Sequence, residues 1–64
     1  MERWEIKKHL KVLVEDFDAM LGDAASFIAR VDLKHEDSVK LYGVLGHIAA
    51  NVYVLSEIVN KIND

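Results

Sequence analysis

Cysteine and proline are missing from this chain, and only three glycines occur among its 64 residues. The absence of cysteine excludes disulfides as a source of stability and fits a reducing compartment, so we expect a cytoplasmic protein. The absence of proline removes the residue that most strongly interrupts helices. No internal repeat, low-complexity segment or linker is present. The chain, residues 1–64, is therefore predicted to be a single domain.

Long hydrophobic runs are also missing. Residues 41–56 carry no charge, but this stretch is 16 residues long, and about 20 apolar residues are needed to span a bilayer. It also contains His47, Asn51 and Ser56, which are costly to place in hydrocarbon. The first apolar run, residues 12–14, is too short for a signal core, and the chain begins at Met1 without a secretory pattern. We therefore expect no membrane association.

Catalytic and metal-binding signatures are the third absence. No cluster of histidine and carboxylate has the spacing of a metal site, so we expect no cofactor and no enzymatic activity. His47 and Asn51 lie one turn apart on a predicted helix. Within a helical bundle, such residues often form a buried hydrogen bond that determines register or oligomeric state. That role is the one we expect for them.

Apolar residues recur at alternating spacings of three and four in two long segments, the pattern of one helical face. The first series is Ile6, Leu10, Leu13, Phe17, Met20, Ala24, Phe27 and Val31, and the second is Leu41, Leu45, Ile48, Val52, Leu55, Val59 and Ile62. Pairing them outward from the middle joins Phe27 to Leu41, Phe17 to Val52 and Ile6 to Ile62. The sequence thus predicts an all-α fold, an antiparallel two-helix hairpin.

The helices are expected at about residues 2–30 and 37–63, with a turn at residues 31–36. Asp32 or Asp37 is available to cap the second helix. Gly22 and Asp23 leave a second possibility, in which the first helix ends there and three helices form. The apolar residues before and after Gly22 fall on the same face of one continuous helix, which favours two helices.

A chain this short gains only about 3–5 kcal/mol from one core, so further stabilisation is needed. We expect it from assembly into a homodimeric four-helix bundle or a larger helical oligomer. We call the two apolar series the predicted seams, because they are expected to form the contact between the helices. Several other apolar residues lie outside these seams and would remain exposed to solvent in a single hairpin. The predicted oligomer interface takes five of them: Val14, Leu21, Ile28, Val44 and Ile58.

Small residues form a strip on each helix, on the side away from the predicted seam. These are Gly22, Ala25 and Ala29 on the first helix and Gly43, Gly46 and Ala50 on the second. Two interpretations stay open: a second helix–helix interface that allows close approach, or small residues tolerated on a solvated face. We include them in the predicted oligomer interface, which would make the assembly larger than a dimer.

The first helix begins with a basic cluster, although the net charge of the chain is −3. Its residues are Arg3, Trp4, Lys7, Lys8 and Lys11. Cations beside an aromatic ring can contact nucleic acid or another anion, but the overall acidity lacks the broad positive field of nucleic-acid binders. The leading expectation is a small homo-oligomeric interaction module that serves an unknown protein partner as adaptor, inhibitor or regulator. A nucleic-acid-binding regulator is the alternative.

Overall fold

The structure, a computed structural model, describes residues 2–63 and contains two helices that pack against each other. Helix α1 spans Arg3–Arg30 and helix α2 spans His35–Asn60. The predicted two-helix hairpin is confirmed, because α1 continues without a break through Gly22. The three-helix alternative is therefore wrong.

The turn between the helices, residues 31–34, is shorter than predicted, and α2 begins two residues earlier than expected. The predicted aspartate cap is wrong. Lys34 occupies the position before α2, and its side chain makes no capping hydrogen bond. The backbone amide of Ser38 donates to the carbonyl oxygen of Lys34 at 3.0 Å. Glu36 and Asp37 lie in the first turn of α2, where negative charge complements the helix dipole.

The helices contact each other along the apolar series of α2 that the sequence predicts. Val52 and Val59 are buried, and Leu55 packs against them. Phe17 and Val52 line one groove between the helices, in agreement with their predicted pairing. The hydroxyl of Tyr42 donates to the carbonyl oxygen of Ala25 at 3.4 Å, which joins the helices nearer the turn.

The face of α1 that meets α2 differs from the predicted one. Val14 is buried, and Leu10 and Leu21 pack against the buried cluster, whereas Leu13 and Met20 are exposed. The expectation that Val14 and Leu21 lie off the seam and stay wet is therefore wrong. Residues seven apart in sequence lie almost above one another on a helix and form a row. Three neighbouring rows of α1, those of Leu13, Phe17 and Val14, are largely apolar, and adjacent rows differ by only about 50° of rotation about the helix axis. Spacing alone cannot choose between two such seams.

The hairpin is long and thin, with extents of 48 × 16 × 12 Å. Its radius of gyration is 15.2 Å, compared with about 11 Å for a compact domain of this length. Of the residues described, three are buried, namely Val14, Val52 and Val59. The core between the helices is thus a narrow line of valines, and much of the apolar surface stays outside it.

Candidate interaction surface

Exposed apolar side chains are concentrated on one broad side of the hairpin, which we call the apolar side. Its centre is the groove between the helices where Phe17, Ile48 and Leu55 meet. Leu13 and Met20 continue this surface along α1, where they line an adjoining depression with Phe17 and with the carboxylates Asp16 and Asp23. The exposed large residues that share these rows are Ile6, Leu13, Phe17, Met20 and Phe27 of α1 and Leu41, Val44, Ile48 and Ile58 of α2.

The opposite broad side, which we call the polar side, has a different chemistry. Its groove is bordered by charged or polar side chains from both helices: Lys11, Glu15 and Asp18 of α1 and Ser56 and Asn60 of α2. Val14 and Val59 form the floor of this groove. Charged and polar groups at a groove rim are well solvated, so this side can face water while the apolar side cannot do so without cost.

The five apolar residues of the predicted oligomer interface lie in two different places. Val44 and Ile58 are exposed on the apolar side, where another chain can reach them. Val14 and Leu21 belong to the contact between α1 and α2, and Ile28 is half-buried seven residues further along the same row. The exposed residues of the apolar side that the predicted interface omits are Ile6, Leu13, Phe17, Met20, Phe27, Leu41 and Ile48, because the sequence pattern places them in the contact between the two helices.

The small residues do not form one continuous surface. Ala25 is half-buried beside α2, because its carbonyl oxygen accepts the Tyr42 hydroxyl. Gly22 and Ala29 share the row of Glu15 on the polar side, and Gly46 shares the row of Asn60. Gly43 and Ala50 lie on the outer edge of α2, in the row of Glu57. A Cβ atom added at any of the three glycines would meet no atom within 4 Å.

The basic cluster is brought together in part. Trp4, Lys7, Lys8 and Lys11 line one shallow depression near the start of α1. Arg3 is exposed but is not among the residues that form it. Trp4 and Lys8 also border a neighbouring, more apolar depression with Val12. The geometry therefore groups one aromatic ring with three cations, which is a small patch rather than an extended basic surface.

His47 and Asn51 are both exposed on the single hairpin. Asn51 lines the central groove of the apolar side together with Phe17 and Ile48. His47 lies in the row of Lys40 and Lys61, at the margin of that side. The two residues predicted to act together in a bundle thus have different surroundings, and only Asn51 lies among apolar side chains.

The apolar character of α2 also bears on membranes. By length and composition His35–Asn60 passes the test for a membrane-spanning helix, with a mean hydropathy of 1.3 over its most apolar stretch. Only 11% of that stretch is buried in the hairpin. A bundle helix that is covered by protein on several sides has the same composition, so this is a weak indication.

Metal-binding groups and known relatives provide no further guide to the site. Across residues 2–63, no group of three or more His, Cys, Asp or Glu side chains is placed to hold a metal ion. Comparisons with protein-family models, with curated proteins and with solved structures found no match for this chain.

Proposed function

We propose that this chain is a small homo-oligomeric interaction module, in which the apolar side of one hairpin packs on a second copy to form a four-helix bundle. The observation that carries the proposal is the concentration of exposed large apolar residues on one side of a thin hairpin. Exposed apolar patches of this kind mark interaction surfaces in soluble proteins.

The accessible surface of the chain supports this proposal quantitatively. The hairpin exposes 5208 Å², whereas a compact monomer of 7.3 kDa exposes about 4,200 Å². The excess is about 1,000 Å² per chain. Covering it in a dimer would bury about 2,000 Å² in total, which is the range of permanent homodimer interfaces. One additional copy therefore accounts for the excess, and folding and association are expected to be coupled.

A second surface remains available after this association. Trp4 and Tyr53 are exposed and lie outside the apolar side, in the rows of Lys11 and Asn60 that border the polar side. Tryptophan and tyrosine are enriched among the residues that dominate binding energy at protein interfaces. We assign this outer surface to a protein partner, for which the module would act as adaptor, inhibitor or regulator without catalysis or cofactor. The proposed location is the cytoplasm.

Light scattering coupled to size exclusion tests the self-association. We expect a mass of two chains at micromolar concentration, in the soluble fraction and without detergent. A folded monomer under these conditions would refute the module as proposed. Recovery in the membrane fraction of the native host would instead favour insertion of α2.

Crosslinking in the native host tests the partner role. A photo-crosslinker at Tyr53 should capture one specific protein reproducibly, whereas the same probe at Asp32, an exposed residue of the turn between the helices, should capture it less. Capture of only the chain itself would contradict a heterologous partner.

A nucleic-acid-binding regulator is the second candidate, favoured by the depression that Trp4, Lys7, Lys8 and Lys11 share. Such binding would weaken as salt rises, by a slope close to the number of phosphates contacted. Replacing Lys8 and Lys11 with glutamate should then abolish binding of RNA or DNA in 50 mM salt. If the wild-type chain shows no binding at low salt, this candidate is eliminated. The leading proposal predicts that result, with the mass of the assembly unchanged by the charge reversal.

A further inference from the structure

We propose that the two copies pair about a two-fold axis that runs across the helices through Asn51 and Met20, so that the two turns lie at opposite ends of the bundle. This inference rests on the proposed function, because it specifies how the second copy covers the apolar side. It assigns Asn51 the role of setting the register.

Asn51 is the polar side chain in the central groove of the apolar side. The groove that it lines is otherwise formed by Phe17, Ile48, Val52 and Leu55. Its own row on α2 continues with Val44 and Ile58, both exposed and apolar. Other polar side chains on or beside this side are Asp37 in the first turn of α2, Arg3, which shares the row of Phe17 at the start of α1, and Asp16 and Asp23, which line the depression of Met20.

An amide that is covered by apolar side chains without a partner costs about 1–3 kcal/mol. Asparagine carries both an acceptor oxygen and an NH2 donor, so two facing asparagine side chains can donate hydrogen bonds to each other. A residue meets its own copy only where a two-fold axis passes through it, since an isologous contact exchanges residue i with residue j. Pairing of Asn51 with itself therefore specifies both the axis and the register.

The rest of the apolar side agrees with this axis. In α2, Val44 and Ile58 are equally far from Asn51, so each meets the other on the second copy. In α1, the residues level with Asn51 are 18–20, because Phe17 shares a groove with Val52 and Lys11 shares one with Asn60, and Met20 is the one of these on the apolar side.

The same axis also determines which residues of the other rows on the apolar side meet in the dimer. Leu13 and Phe27 are equally far from Met20 and exchange in the same way, so these apolar residues meet each other, while Asp16 and Asp23 border the same surface. Asp37 falls beyond the end of α2 of the second copy and stays in water.

The other symmetric arrangement has an axis parallel to the helices and places both turns at one end. It would set Asn51 of each copy against the Met20 row of α1 of the other copy. The amide would then face Met20, whose depression also contains Asp16 and Asp23, and it would lack the reciprocal amide partner. Both arrangements cover the apolar side, and the hydrogen-bonding requirement of Asn51 distinguishes them.

Because the chain has no cysteine, single thiols can report on the axis. Helices in contact are about 8–10 Å apart between axes, which brings facing Cα atoms within the range that a disulfide requires. Asn51→Cys should oxidise to a covalent dimer at least about tenfold faster than Ser26→Cys, an exposed position on the outer edge of α1. Met20→Cys should behave like Asn51→Cys.

Two results would overturn the inference and leave the proposed dimer standing. One is a stable dimer by light scattering in which neither Asn51→Cys nor Met20→Cys oxidises faster than the control. The other is a mixture of the two variants that forms the mixed disulfide in preference to either homodimer, since this indicates the parallel axis. If Asn51→Cys fails to associate, Met20→Cys alone decides the axis. Monomeric wild-type protein would refute the dimer itself.

Discussion

Met20 offers the most direct test of the apolar side, because its contribution to the hairpin and to the dimer can be separated. In the single hairpin, 57% of Met20 is exposed. Replacing it with alanine removes the apolar side chain beyond Cβ and keeps a strong helix former in α1. The change therefore leaves the helix intact and acts mainly on surface that only a second copy would cover.

The magnitude follows from that exposed fraction. Complete burial of a methionine side chain contributes about 1.5–3 kcal/mol, so the part still exposed is worth about 1–1.7 kcal/mol per copy. A dimer contains two such residues, and the loss is then about 2–3.5 kcal/mol. At about 1.4 kcal/mol for each factor of ten, Met20→Ala should raise the dimer Kd by about 30–300-fold.

Sedimentation equilibrium over a range of concentrations measures this Kd directly. The matched control is Tyr53→Ala, because Tyr53 is 66% exposed and lies seven residues before Asn60, in a row of the polar side. Its removal should change the Kd by less than about threefold, which is the usual size of an effect at an uninvolved surface. If Met20→Ala changes the Kd no more than Tyr53→Ala does, the assignment of the apolar side is refuted.

Two further substitutions probe the hairpin itself. Val59 is 2% exposed, so Val59→Ala should lower the free energy of unfolding by about 2 kcal/mol in urea denaturation followed by circular dichroism; an unchanged midpoint would show that the valine line is not the core. Gly46→Ala should raise the unfolding free energy by about 1 kcal/mol, because a helical glycine is unfavourable and no atom lies within 4 Å of the added Cβ. A loss of stability at Gly46 would instead indicate that another chain approaches the backbone there.

The small-residue strips illustrate how far periodicity can mislead. Gly22, Gly43 and Gly46 recur at spacings that suggest a close helix–helix contact, yet the hairpin leaves open space around all three. Ala25 was expected on a free surface and lies instead beside Tyr42. The positions of small side chains in a sequence do not indicate which face of a helix makes a contact, because such side chains are tolerated equally at a close contact and in solvent.

The seam of α1 shows the same limit for large residues. The row containing Leu13 and Met20 and the row containing Val14 and Leu21 are both apolar, and they flank the row containing Leu10 and Phe17 on either side. A hairpin contact covers about two rows of a helix, so one row must remain outside. Which row is left out depends on the rotation of α1 about its own axis relative to α2. Packing between the two helices sets that rotation, so the sequence pattern of one helix does not determine it.

Sequence alone determined the features that depend on local periodicity: two helices, their antiparallel order, a turn near residue 33, and more apolar surface than one hairpin can bury. These follow because a helix repeats every 3.6 residues and because the absence of proline leaves both segments uninterrupted. Tertiary structure decided which stripe of α1 faces α2. It thereby placed Leu13, Met20 and Phe27 on an open side around Asn51, because rotation of one helix against another is set by packing between them.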